Sequence, residues 1–451
     1  MNNSVETQNR DQWSSKVGFI LAAAGSAVGL GNLWKFPYTA GMNGGGAFVI
    51  VYFAILLLVG FTLMLAELVI GRSTQLNAVG AYRKINKSWG WVGGLGVLAG
   101  FVILSYYSVV GGWVINYIVK AATGAFNTTD MDVLGNMFGG LISSTWTPIV
   151  YHGIFMAITL AIVIGGISGG IEKFSKILMP ALFIMIILIV FRSVTLPGAA
   201  EGVKFFLQPD FSKINGKVIL AALGQVFFSL SLGMGCMVTY GSYLSKNENI
   251  PQSATLIPLL DTGVALLAGL AILPAVFALG FDPTGGPGLV FITLPAVFAK
   301  MPLGALFAII FFLLVLFAAV TSSISLLEVV VAYVVDDWGW KRSKATTIVA
   351  AAIFLVGIPA SLSMGPWSHI TLFRGLGVFD ALGFLTDQIL LPLGGLMLCI
   401  FIGWVWGVDN AVKEATNNGK VKFAIAPIWG FIIKYIAPIA IGYIFISGLI
   451  G

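Results

Sequence analysis

Long apolar stretches alternate with short polar ones along the whole chain. Apolar runs fall at roughly 17–41, 46–71, 91–122, 148–166, 171–193, 218–244, 255–281, 303–335, 344–362, 379–405 and 427–449. Each is close to or above the ~20 residues that cross a bilayer as a helix. The pattern therefore predicts an all-α polytopic membrane protein with about 11 transmembrane helices in one domain, residues 1–451. The short segments of alternating polarity that mark a transmembrane β-barrel are not seen in the sequence.

Glycine interrupts two of the runs. Span 1 contains Gly25-Ser26-Ala27-Val28-Gly29-Leu30-Gly31-Asn32, and span 6 contains Ser229-Leu230-Ser231-Leu232-Gly233-Met234-Gly235. These spans open two successive sets of five, at about 17–193 and 218–405, with 427–449 left as a peripheral span. Interrupted helices at matching positions of two halves mark a binding site between them. Unwinding exposes N–H and C=O groups that lipid cannot satisfy. Freed carbonyls suit a cation, and the N-terminus of the following half-helix suits a carboxylate. Glycine in a membrane helix is also ordinary packing material. Two breaks in register, with Asn32 and several serines beside them, favour a site.

Composition strengthens the membrane reading. Of the 451 residues 58% are hydrophobic and 9% charged, against roughly 25% charged in a soluble domain; mean hydropathy is +0.98. The net charge of +6 implies no nucleic-acid partner, because the basic residues sit at the ends of apolar runs. Arg72, Arg83, Lys84, Lys87, Lys173, Lys176, Lys341, Arg342 and Lys344 share a side with the N-terminus; the other side is poorer in Lys and Arg. That asymmetry predicts a cytoplasmic N-terminus in the inner (plasma) membrane and, with an odd number of spans, an external C-terminus. The first 16 residues are polar, with no signal-cleavage pattern. Cys236 and Cys399 lie inside apolar runs and read as buried thiols. The segments 123–147, 194–217 and 282–302 are long and expected outside, the last folding back toward the core as a lid.

Several motifs, in order, carry a resemblance: Gly25 to Pro37 (GSAVGLGNLWKFP), Asn43 to Phe48 (NGGGAF), Glu67 to Arg72 (ELVIGR), Gly224 to Gly235 (GQVFFSLSLGMG) and Ala318 to Ser323 (AAVTSS). On these the chain resembles the neurotransmitter:sodium symporter family, and most closely its bacterial amino-acid transporters. The resemblance implies two inverted five-helix repeats with helices 1 and 6 broken, and a sodium-coupled symporter of a hydrophobic L-amino acid working by alternating access. Many members have a twelfth span; eleven are expected here.

Matching the motifs residue by residue implies two Na+ sites. One draws on Ala27, Asn32, Ser229, Asp261 and the substrate carboxylate. The other draws on the carbonyls of Gly25, Val28 and Ala318 with the hydroxyls of Thr321 and Ser322. Asp261 is a carboxylate inside a span and so a functional candidate in its own right. It falls among the positions that form a chloride site in some members, here Tyr52, Gln225, Ser229, Asp261 and Ala265. Its fixed charge makes chloride dispensable by expectation.

The resemblance places the substrate among Ala27, Leu30, Gly31, Ile103, Tyr107, Phe228, Ser229, Ser231, Gly233, Met234, Ser322, Ser325 and Leu326. Tyr107 and the Leu30 and Gly31 amides are to hold a carboxylate. Gly29 stands where amine carriers have Asp, so the ligand must bring its own acid. The outer gate is expected at Lys35 with Asp380 or Asp387, the motif position itself being Gly383. The inner gate is expected at Arg10, Trp13, Ser242, Tyr243, Glu328 and Asp336, with Arg10–Asp336 as latch. Gly170 and Pro180 mark the inner end of span 5 as a place to unwind.

Rival readings stay open on the residues alone. A proton-coupled carrier would use Asp261 as its proton site, and a substrate-gated channel or receptor would need no fixed stoichiometry. An enzyme is disfavoured, since zinc-protease, nucleophile-elbow and phosphate-loop motifs are all missing from the sequence. The expected partners are an amino acid and membrane lipid; oligomeric state is not readable from the sequence.

Overall fold

The structure is a computed structural model and describes residues 11–283 and 288–450. These residues are helical apart from loops and a single antiparallel bridge between Thr371 and Gly377. Span 1 is a bent pair, Lys16–Ala27 and Gly31–Met42, meeting at 50°. Spans 2 to 5 are Gly46–Thr74, Lys87–Ala122, Thr147–Ile164 and Ile167–Val194. Span 6 is broken into Gly216–Ser229 and Cys236–Gly241. Spans 7 to 11 are Ile250–Ala278, Gly304–Trp338, Arg342–Leu362, Val378–Trp406 and Ala426–Ile450. The apolar pattern therefore located every span. Its errors are at ends such as Lys87 and Trp338, where backbone hydrogen bonding carries the helix beyond the apolar stretch.

Both breaks have local causes. The Ser15 hydroxyl caps span 1 by accepting from the Gly18 amide at 3.1 Å, and the helix stops at Val28, which turns to an extended backbone. Asn215 caps span 6 through the Lys217 and Val218 amides. That helix ends at Leu230, after which Ser231, Gly233 and Gly235 take φ of 54°, 76° and 73°. Positive φ costs a glycine nothing but strains Ser231.

Spans 3 and 8 form the most extensive helix contact and flank the broken pair. Span 11 packs on span 10 and is the least buried of the long spans. In the segment 282–302, helix Leu289–Lys300 lays Phe291 at 5.0 Å from Phe138, stacked, and at 5.1 Å edge-on to Tyr117. The Tyr117 hydroxyl donates to the Phe291 carbonyl at 2.9 Å. This segment thus covers the end of span 3 opposite Lys87.

Candidate ion and substrate sites

The break in span 1 faces span 8, and there five oxygen-bearing groups converge. The Thr321 hydroxyl lies 3.0 Å from the Ala318 carbonyl and 3.1 Å from that of Phe317, one turn back in its own helix. It also lies 3.5 Å from the Val28 carbonyl across the interface. The Ser322 hydroxyl reaches across to Val28 at 3.1 Å and to Gly25 at 3.4 Å. A hard cation with oxygens at ~2.4 Å separates neighbouring ligands by ~3.4 Å, so these groups fit a sodium ion with little rearrangement.

The second cluster joins spans 1, 6 and 7 around Asp261, which is fully buried. Ser229 donates to one carboxylate oxygen at 2.8 Å, and the Tyr52 hydroxyl stands 3.5 Å from the same oxygen. Asn32 donates its amide nitrogen to the other at 2.7 Å. The Asn32 side-chain oxygen, the atom expected to face a cation, instead accepts from the Gly29 amide at 3.0 Å. Asp261 and Ser229 carry oxygens at this cluster, and Asn32 contributes its side-chain oxygen only when its amide turns. Gln225 donates to the Gly31 carbonyl at 2.7 Å rather than to Asp261.

Between the clusters is a narrow cavity lined by Ala27, Leu30, Gly31, Ile103, Tyr107, Phe228, Ser231, Met234, Ser322 and Leu326, all expected, together with Ser26 and Gly29. Three expected residues stand outside that lining. Ser229 serves Asp261. Ser325 accepts from Ser26 at 2.7 Å. The Gly233 amide donates to Glu67 at 2.7 Å. Tyr107 accepts from the Leu30 amide at 3.2 Å, so phenol and helix N-terminus are adjacent as a carboxylate requires. A Cβ on Gly29 would come within 2.4 Å of the Ser322 hydroxyl and 2.8 Å of the Tyr107 hydroxyl, leaving no room for an acid.

The residues expected at the gates lie at the two ends of the bundle, with one correction of pairing. Lys35 pairs with Asp387 at 3.3 Å, not with Asp380. Asp380 is exposed at the start of its helix, and Asp387 lies two turns further along. Lys35 also sits 4.5 Å over the Phe228 ring. At the end holding Trp13, the Trp13 indole donates to the Tyr240 carbonyl at 3.0 Å, and Tyr243 donates to Glu328 at 2.7 Å. Ser242 donates to the Thr239 carbonyl at 2.6 Å. Asp336 accepts from the Asn77 amide at 3.0 Å; Arg10 lies outside the described residues. The inner end of span 5 is wound, as a π-helical turn over Ile167–Glu172.

Three residues at these sites lie outside the expected set. Glu67, buried in span 2, caps the broken stretch of span 6 through Gly233. Arg342 binds Glu328 at 2.5 and 3.1 Å and the Val163 carbonyl at 2.9 Å. Glu172 accepts from the Ser14 amide at 2.7 Å and from the Ser14 and Ser15 hydroxyls at 2.6 and 2.9 Å. A carboxylate inside an apolar run was a signal available for Glu67; Arg342 and Glu172 sit at span ends, where charges are commonplace.

Sequence and fold both match known proteins. The sequence pattern of the sodium:neurotransmitter symporter family matches residues 10–134 and 146–451. An uncharacterized sodium-dependent transporter of Bacillus subtilis, YhdH, is 45% identical over 98% of both chains. One from Haemophilus influenzae is 40% identical over 99% of this chain and 100% of its own. The crystal structure of MhsT in complex with L-phenylalanine superposes with a TM-score of 0.89 at 44% identity, covering 97% of this chain and 100% of that one.

Proposed function

The chain belongs to the sodium:neurotransmitter symporter family, a family of membrane transporters and not of enzymes, and from that premise we propose that it carries an apolar L-amino acid into the cell with sodium by alternating access. The observation that carries the reading is the cavity at the two helix breaks. It sets Tyr107 and the Leu30 amide at one end, apolar Ile103, Phe228, Met234 and Leu326 elsewhere, and no acid at Gly29. The likeness to MhsT, solved with L-phenylalanine, supports it. We assign one sodium to Gly25, Val28, Ala318, Thr321 and Ser322, and a second to Ala27, Asn32, Ser229, Asp261 and the substrate carboxylate. Asp261 supplies the charge that makes chloride unnecessary. The chain forms a single transmembrane domain of repeats 17–193 and 218–405 with 427–449 peripheral, in the plasma membrane with the N-terminus cytoplasmic.

The test is a binding screen of the twenty amino acids with and without sodium, followed by competition with decarboxylated analogues. Removing a buried charge-assisted contact costs about 1.5–3 kcal/mol, so tryptamine should bind roughly ten- to a hundredfold more weakly than tryptophan. Equal displacement by tryptamine overturns the carboxylate-coupled site. Full uptake in potassium at constant pH overturns sodium coupling in favour of protons at Asp261.

A further inference from the structure

Apart from the substrate cavity, the described residues form a wide groove, about 1420 Å³ with its open mouth included. Spans 3, 8 and 9 form its walls, with the helix Ala78–Ile85 at its mouth. Its lining is mostly apolar and open to the surroundings: Trp91, Leu98, Trp338 and Ile348 are each about half exposed. From Gly90 to Phe101 it follows span 3 for about 17 Å, comparable to one leaflet of a hydrocarbon core ~30 Å thick.

Two further observations identify what fits. First, the mouth is basic. Lys87 is exposed and has no ion pair among the described residues. Arg83 is half exposed and uses one nitrogen on Asp337 at 2.9 Å, leaving other N–H donors free. Lys344 lies beside the mouth, 4.5 Å over the Trp340 ring. Asp336 and Asp337 stand at the same end, Asp337 on Arg83 and on Asn77 at 2.9 Å and Asp336 on the Asn77 amide, so the basic residues Arg83, Lys84, Lys87 and Lys344 outnumber the acids there. Second, Gly94 lines the groove, yet a Cβ added there meets no atom within 4 Å. Helix packing does not require glycine at this position; its effect is to keep the groove open.

We propose that this groove binds one anionic phospholipid of the adjoining leaflet, with an acyl chain along Gly94 and Leu98 and the headgroup phosphate at Lys87 and Arg83. Tryptophans at the mouth match the interfacial depth such side chains prefer, and basic pockets between spans are the usual recognition of acidic headgroups. The inference requires the membrane setting but not the substrate assignment, so the two can fail separately.

The experiment titrates the full chain, purified in neutral detergent, with phosphatidylglycerol or phosphatidylcholine and counts bound lipid by native mass spectrometry. Phosphatidylglycerol should bind at least roughly fivefold more tightly, the gain expected from about one basic contact. Lys87→Gln should remove most of that preference, and Gly94→Leu, which fills the groove, should weaken both lipids. An unchanged thermal unfolding midpoint and a monodisperse gel-filtration profile report that both variants are folded. Equal binding of the two lipids, or wild-type behaviour of both variants, overturns the proposal. So does displacement by glycerol phosphate alone, which would make this a free-phosphate site. A dimer abolished by Gly94→Leu would make a second copy the occupant and likewise overturn it.

Discussion

The two ends of the molecule are closed by different chemistry. The outer end rests on one pair, Lys35–Asp387, with the two side chains 30% and 29% exposed, and on Lys35 over Phe228. The inner end rests on a network around fully buried Glu328, which takes Tyr243 and the two terminal guanidinium nitrogens of Arg342. Glu172 adds a clamp on the residues before span 1. A lysine pair open to water contributes about 0–1 kcal/mol, whereas breaking a buried pair by removing one partner costs about 3–5 kcal/mol. The difference teaches which end should open more readily: the end held by Lys35 and Asp387, outer in the proposed orientation, is expected to yield before the end held by Glu328.

The sharpest way to break that comparison is Glu328→Ala. It leaves Arg342 and Tyr243 without their buried acceptor and should shift the balance toward inward opening by over a hundredfold. Cys236, fully buried where the inner half of span 6 begins, is a native reporter. Its labelling by a thiol reagent should accelerate, with Cys399 as the buried control; unchanged labelling in folded protein would break the contrast. Glu172→Gln retains the shape but loses the charge under the Ser14 and Ser15 donors and Lys176, so roughly a tenfold increase in Cys236 labelling is expected. Sodium should oppose inner opening because its proposed ligands join span 1 to span 8. Thr321→Ala should therefore raise the sodium needed to protect Cys236 by about tenfold or less, and an unchanged titration removes Thr321 from the site. The smallest effect belongs to the outer end: Asp387→Asn should alter substrate affinity by at most about fivefold, and Asp380→Asn not measurably. A larger effect at Asp380 than at Asp387 would reverse the assignment of the outer pair.

Much of this was legible in the chain before folding was considered. A span must be apolar over its full length, so hydropathy locates it; a broken helix needs residues that tolerate exposed backbone, so the runs Gly25–Asn32 and Ser229–Gly235 announce themselves. The residues around the cavity followed from those breaks and from family likeness. Legibility failed where a side chain's partner lies on another helix. Asp380 and Asp387 are equivalent as letters, and only the rotation and depth of span 10 bring Asp387 to Lys35. Asn32 carries both an acceptor and a donor, and only its surroundings turn the nitrogen toward Asp261.

The sequence by itself thus determined the membrane setting, the number of spans, the two breaks and the stock of oxygen donors, because each follows from local composition and from what lipid cannot hydrogen-bond. The tertiary structure alone decided that Glu67 caps Gly233, that Arg342 secures Glu328, and that a lipid-sized groove opens beside Gly94. Those outcomes depend on how helices distant in sequence are rotated and spaced against one another, and no local pattern encodes that.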